Sequence, residues 1–319
     1  MESRTHIDSI GIKLEFNSGN IQRLRLRKLN NYIDSINGLN VIVKERIIGY
    51  GAVILEYHVY YRNETVAVIK TGAYKPDKSK RDNIYWIGIV FAGLQSYYEK
   101  IDEIKYNFLL TVCSWCNDNK LAFRLSELDS DIDVPCSYLN FYSLQIKKAP
   151  RTSFNPIEDQ IYGTTRYFQR KPKYKSYGIA ALDYDKQVKE GLDDIISRHE
   201  MKFTFKKDDV VSLDSIRDKI INAYSRYAIF QFDDLRVKDQ VMRIELQIEN
   251  SNTHKARAYR RLVAQLEAYR FYPDINYIMD YIATLFSVRN YKMTIAEAEP
   301  VVKSYETYSS SFDFDNLII

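Results

Sequence analysis

Apolar and polar positions alternate near the start of the chain: Ile10, Ile12, Leu14 and Phe16 share one side of a period-two pattern, which predicts a strand. Residues 52–62 and 65–72 are rich in β-branched and aromatic side chains, and the short Arg62-Asn63-Glu64 link between them predicts a hairpin. The apolar run 85–92 reads as a buried strand. From Leu94 to Asn119 the spacing turns helical, with Tyr97, Tyr98, Ile101, Ile104, Phe108, Leu109 and Val112 on one stripe, and Lys120 to Pro135 returns to strand character.

The second half is organised in the same style. Residues 177–184 read as a strand and 185–199 as a helix with Val188, Leu192, Ile195 and Ile196 on one side; a further helix after Arg217 carries Ile220, Ile221 and Tyr224. Residues 241–249 alternate almost strictly and predict another strand. The segments 255–270, 275–288 and 295–305 read as helices, followed by a Ser-rich, acidic tail. This order predicts an α+β protein built on an antiparallel sheet, without regular βαβ alternation. The expected division is a main domain over 1–250, with a strand-rich lead-in to about residue 120, and a helical C-terminal region over 251–319.

Composition narrows the class only a little. With 319 residues and 45% hydrophobic side chains there is material for a sizeable core, and 11 Gly and 7 Pro argue against long disordered linkers. A net charge of +4 is compatible with nucleic acid but does not establish it, so the local placement of charge has to decide. No apolar run has membrane-spanning length and the start has no signal-peptide core, so a soluble, cytoplasmic protein with no membrane partner is expected. Cys113 and Cys116 form a C-x-x-C without a second pair, only Cys136 remaining, and read as structural thiols rather than a zinc or redox centre.

Three stretches carry chemistry. In Ser126-Glu127-Leu128-Asp129-Ser130-Asp131-Ile132-Asp133, the aspartates alternate. In an extended chain they project from one face about 7 Å apart, suiting a hard cation such as Mg²⁺ or Mn²⁺ bridged to phosphate oxygens. An acidic surface turn ending at Pro135 is the competing reading. A calcium loop is excluded, because Val134 and Asn140 stand where such a loop needs Gly and a bidentate Glu. In the second stretch, Met242 to Glu249, Arg243 and Glu245 lie on the polar side of the alternation. They either line a site or form the wet face of an amphipathic strand. In the third, Arg166, Arg170, Lys171, Lys173 and Lys175 are interleaved with Tyr167, Phe168, Tyr174 and Tyr177, ahead of Asp183-Tyr184-Asp185-Lys186. Such a cluster suits a nucleic-acid backbone with stackable bases, or a solvated hairpin whose basic edge discourages aggregation.

In their order these stretches resemble the Rep_trans family of plasmid rolling-circle replication initiators, and more distantly the gene II replication proteins of filamentous phages. That family carries an R-I-D-x-A-x-D strand, a G-x-T-x-Y-x-G-x-R-x-S hairpin leading to R-x-Y-D/E-K, and an R-x-E-hydrophobic strand. Asp129 and Asp133 fall on the two aspartates; Gly163, Thr165, Tyr167 and Arg170 on the hairpin; Tyr184 and Lys186 on the Y-D/E-K segment; Arg243 and Glu245 on the last strand. The match covers roughly residues 120 to 250. Glu127, Gln169 and Asp183 depart from the pattern, and there is no H-x-H pair.

The resemblance implies a relaxase-like antiparallel-sheet core that nicks and rejoins single DNA strands through a 5′-phosphotyrosyl intermediate. Tyr184 would be the nucleophile and Lys186 would stabilise the phenolate or phosphate. Asp129, Asp133 and Glu245 would hold Mg²⁺ or Mn²⁺, with Asp131 in reserve. Implied partners are origin DNA, single-stranded or in a hairpin, and a host helicase. The basic run Lys255, Arg257, Arg260 and Arg261 is expected to serve origin recognition or dimerisation, with a solvated helix as its plainer reading. The alternative function is a non-catalytic, sequence-specific DNA-binding regulator of a phage or mobile element on the same scaffold.

Overall fold

The structure is a computed structural model, and it describes residues 4–48, 52–75, 83–95, 99–146, 160–162, 165–168, 179–251 and 254–293. The first half supplies β1 (Arg4–Phe16), α1 (Gly19–Asp34), β2 (Leu39–Ile48), β3 (Ala52–Tyr61), β4 (Glu64–Tyr74), β5 (Ile84–Ala92), α2 (Glu99–Asp118), β6 (Phe123–Val134) and β7 (Phe141–Gln145). The second half supplies β8 (Gln160–Tyr162), β9 (Thr165–Tyr167), β10 (Ile179–Asp185), α3 (Lys186–Glu190), β11 (Ser197–Thr204) and α4 (Leu213–Tyr224). Then follow β12 (Tyr227–Gln231), α5 (Leu235–Asn250), α6 (Lys255–Gln265), β13 (Arg270–Phe271) and α7 (Ile275–Ser287).

Ten strands form one antiparallel sheet in the order β2–β3–β4–β5–β1–β6–β11–β10–β9–β8. Its apolar face is written by period-two alternation: Ile10, Ile12 and Leu14 on β1, Ile87, Ile89 and Phe91 on β5, Leu128 and Ile132 on β6, and Met201 and Phe203 on β11 are all buried. Four helices bury their stripes in the same core, among them Leu26, Leu29 and Ile33 of α1, Phe108 and Val112 of α2, Ile220 of α4 and Ile282 of α7. Each such aliphatic or aromatic side chain contributes roughly 1.5–3 kcal/mol by leaving water. A second, three-stranded sheet, β13–β12–β7, builds a smaller core with α5 and α6. The molecule is thus α+β with a large antiparallel sheet, as expected.

Two segments differ from expectation. Residues 185–199 do not form one helix: α3 stops at Gly191, whose φ of +66° is the left-handed conformation that glycine adopts without strain. The chain then enters β11, so Val188 and Ile195 of the expected stripe are exposed. Residues 241–249 belong to α5, not to a strand. The buried or packed positions there are Val237, Val241, Ile244 and Ile248, a helical spacing, while Met242 and Leu246 of the apparent alternation face solvent. Asp234 caps α5 by accepting from the Arg236 backbone N–H. α1, β2 and β12 were not foreseen, and the expected helix 295–305 lies outside the described residues.

Cys113, Cys116 and Cys136 are free and buried. Burial pushes the Cys116 thiol up to about 12 and Cys136 to about 11, which keeps both protonated and inert. No helix among the described residues is long and apolar enough to cross a membrane.

Candidate active site

The pleat of β6 sends Leu128, Ser130 and Ile132 into the core and Asp129, Asp131 and Asp133 to the other face of the sheet. β11 pairs with β6 in a register that sets a charged residue opposite every one of them: Lys202 against Asp129, Glu200 against Asp131 and Arg198 against Asp133. On the far side of β11, Tyr184 of β10 stands opposite Arg198. On the far side of β6, His6 of β1 stands opposite Asp131, and a bulge between Ile7 and Ser9 carries Asp8.

The side chains are closely coupled. Arg198 donates from Nε to Asp133 Oδ1 at 2.5 Å and from Nη2 to Asp133 Oδ2 at 2.7 Å, and it also reaches Asp8 Oδ1 at 3.4 Å. Its Nη1 forms an ion pair with the fully buried Asp131, 2.5 Å from Oδ2. Lys202 Nζ donates to Asp129 Oδ2 at 2.9 Å and also pairs with Glu200. His6 Nε2 lies 3.6 Å from Asp133 Oδ2. Glu200 acts electrostatically on the Tyr184 hydroxyl from the neighbouring strand, and Lys189 Nζ of α3 lies 3.8 Å over the Tyr184 ring.

Burial dominates the titration of this cluster. It raises Asp129 to about 6, against the pull of Lys202 and with help from Glu200. It lowers His6 to about 4 despite Asp133, and it lowers Lys186 with the aid of the Arg198 cation. It raises Tyr184 far above the phenol range; Glu200, Asp131 and Asp8 add to the rise and Arg198 opposes it. Three groups run against burial: Lys202 and the Tyr184 hydroxyl hold Glu200 below the usual carboxylate range, Asp131 and Asp133 raise Arg198, and Asp129 and Glu200 raise Lys202.

The expected residues are therefore only partly together. Tyr184, Lys186, Asp129, Asp131 and Asp133 belong to one cluster. Glu245 does not: it sits on α5, where the Tyr142 hydroxyl of β7 donates to it. Arg243 is exposed on the same helix. Both were placed on a strand lining the site, and the helical register of α5 overturns that placement. The carboxylate that does share the face of the three aspartates is Glu200 of β11. Arg198-His199-Glu200-Met201 is a second occurrence of the R-x-E-hydrophobic pattern, shortly after Lys186, and this occurrence is a strand beside Tyr184. That motif, together with charges alternating at 198, 200 and 202, is the signal that would have found it.

As the side chains stand, no three His, Cys, Asp or Glu residues among those described are grouped to hold a metal. The donor chemistry nonetheless fits a hard divalent ion. Asp131 keeps Oδ1 without a hydrogen-bond partner while its Oδ2 is ion-paired with Arg198, and Asp129 and Glu200 share a lysine that is 45% exposed and able to withdraw to solvent. Asp133 is bound on both oxygens by Arg198 and is the least available of the four.

The opposite face of β10 and β11 holds a separate network. Asp183 Oδ1 lies 2.6 Å from His199 Nδ1 and accepts from Ser143 Oγ at 3.0 Å. Arg166 of β9 donates to the Ser143 carbonyl at 3.1 Å and lies over the Tyr142 and Phe168 rings, so it braces this buried side. Tyr167 is on β9, whereas Arg170, Lys171, Lys173 and Lys175 lie outside the described residues. Arg257, Arg260 and Arg261 are exposed on α6, and Lys255 there pairs with Glu249 at 3.6 Å.

No family model and no curated protein matches the chain. Among solved structures it is similar to a rolling circle replication initiator protein from Geobacillus stearothermophilus, at 14% identity and a TM-score of 0.39, over 84% of this chain and 98% of that one.

Proposed function

We propose that the protein is a replication initiator of the rolling-circle type, which nicks and rejoins one DNA strand at an origin with Tyr184 as nucleophile. The observation that carries this reading is the position of Tyr184, on the same sheet face as Asp129, Asp131 and Glu200 and one strand away from Glu200. A phenol held protonated by burial needs a base at hand, and Glu200 would serve as that base. The phenolic oxygen forms a bond to phosphorus, the bond from phosphorus to the 3′-oxygen breaks, and the Tyr184 proton passes to Glu200. Lys186, made more acidic by burial, would protonate the leaving 3′-oxygen. The products are a 5′-phosphotyrosyl link and a 3′-hydroxyl, and reversal rejoins the strand without ATP.

Asp129, Asp131 and Glu200 would hold a Mg²⁺ or Mn²⁺ ion, which supplies Lewis-acid polarisation of the phosphoryl oxygens when bound. Tyr184 is 2% exposed, so Lys189 and α3 have to swing off its ring before a phosphodiester can reach it. The same burial favours a second reading, a DNA-binding protein on this scaffold that does not cleave.

Incubation with supercoiled origin plasmid and Mg²⁺ or Mn²⁺ separates the two. Open circles and a covalent protein–DNA adduct are expected from the wild type and from no Tyr184→Phe sample. Wild-type protein that binds DNA but yields neither product establishes the second reading.

A further inference from the structure

We infer that the exposed face of α1 is a docking surface for the phosphate backbone of duplex DNA, separate from the cleavage cluster. The helix has four basic residues, Arg23, Arg25, Arg27 and Lys28, against a single acid, Asp34, a net +3 beside +4 for the whole chain. Leu26, Leu29 and Ile33 bury one stripe against the sheet, and Gln22 Nε2 pins the first turn by donating to the Gly72 and Trp86 carbonyls at 3.1 and 2.6 Å. This leaves Asn20, Ile21, Arg23, Leu24, Arg27, Lys28 and Asn31 exposed, with Asp34 as the one exposed acid, at the C-terminal end of the helix.

Among the described residues, none of the four cations on α1 forms an ion pair with an acid; Arg23 donates only to Asn20 Oδ1, at 2.7 Å. A solvated helix face of ordinary proteins mixes both signs. A one-sign row on a rigid helix is the complement of a polyanion. The outer positions from Asn20 to Asn31 extend ~16 Å along the axis, at about 1.5 Å per residue. Duplex DNA carries one negative charge per ~1.7 Å, so several phosphates come within reach of such a row.

Duplex is favoured over single strand because no outer position of α1 itself carries an aromatic ring: Tyr32 is turned inward and stacks on Trp115 at 6.1 Å, and Tyr85 of β5 lies against Gly19 at the first turn only. Asn20 and Asn31 add neutral hydrogen-bond donors suited to phosphate and sugar oxygens. The surface rests on DNA being the partner, as proposed above, but not on the cleavage chemistry.

The test is duplex binding by the full-length protein and by the triple variant Arg23→Gln/Arg27→Gln/Lys28→Gln, followed by fluorescence anisotropy between 50 and 200 mM salt. The variant is expected to lose at least ~10-fold in affinity at low salt, and its plot of log K against log salt to flatten by about 2–3. Cleavage of a short single-stranded origin oligonucleotide should be unchanged. An unaltered salt slope overturns the inference, as does a variant that instead loses binding to phosphatidylserine vesicles while keeping its duplex affinity. If the wild type cleaves nothing yet shows the expected difference in slope, the nickase reading fails and the docking surface stands. The urea midpoints of the two proteins should coincide, since all three substituted side chains are exposed.

Discussion

Arg198 holds Asp133 in a two-pronged grip, with donor–acceptor distances of 2.5 and 2.7 Å, and the guanidinium is wholly out of solvent. Burial would favour its neutral form, but Asp131 and Asp133 hold it firmly charged. Removing one partner strands the other charge in a low-dielectric setting. Arg198→Met is therefore expected to cost about 3–5 kcal/mol in a urea melt. The double variant Arg198→Met/Asp133→Leu should recover much of that loss, whereas equal midpoints for single and double variants would show that the pair is not coupled.

Glu200→Gln keeps the shape of the side chain and its ability to hydrogen-bond, but not its capacity to take up a proton. A loss of roughly 10²–10⁴ in nicking rate is expected, with the acidic limb of the rate profile abolished. Retained wild-type rates would assign proton removal to another group.

His6 gives a pH signature of its own. Its folded pKa is about 4 and the ordinary value is 6.5, so between these values the unfolded chain binds a proton that the folded chain refuses. The stability that His6 contributes is thus complete above pH 6.5 and is lost as pH falls toward 4, by on the order of 3 kcal/mol. His6→Asn should flatten that part of the curve of midpoint against pH. An unchanged curve would place the acid sensitivity elsewhere.

Asp129, raised to about 6, must give up its proton to bind a cation. Manganese affinity, measured by calorimetry, is expected to climb as pH rises through 6 and to go on climbing while Asp131, which burial also pushes well above the usual carboxylate range, loses its proton. Asp129→Asn should remove the part of the climb centred near 6. A pH-independent affinity in the wild type would exclude Asp129 as a ligand.

Glu245→Gln is the matched negative. Its partner is the Tyr142 hydroxyl, beneath α5, so the expected change is a loss of about 0.5–1.5 kcal/mol in stability with nicking at the wild-type level. Abolished cleavage at full stability would return Glu245 to the site.

How far this was legible in the chain depended on the length of the pattern and on which face carried it. β1, β5 and β6 announced themselves because one side of each is apolar over several alternations. β6 also revealed its acids, since Asp129, Asp131 and Asp133 could share a face only if extended. β11 was hidden because charges occupy every second position, while Val188, Leu192, Ile195 and Ile196 just before it mimic a helical stripe. α5 was misread because residues 241–249 alternate by coincidence; Val237, outside that window, is what restores the helical period. The pairing of Tyr184 with Glu200 depended on strand neighbours that no local window contains.

The alternation on β11 also constrains how the chain can come together. Sliding that strand by a single residue against β6 would drive Arg198, Glu200 and Lys202 into the hydrocarbon interior and press His199, Met201 and Phe203 onto the three aspartates. Such a misalignment forfeits the apolar contacts and the ionic ones together. Correct alignment of two neighbouring strands and delivery of Arg198, Glu200 and Lys202 to their acids are consequently a single folding event, and a molecule that has formed this part of its sheet has already assembled its chemistry.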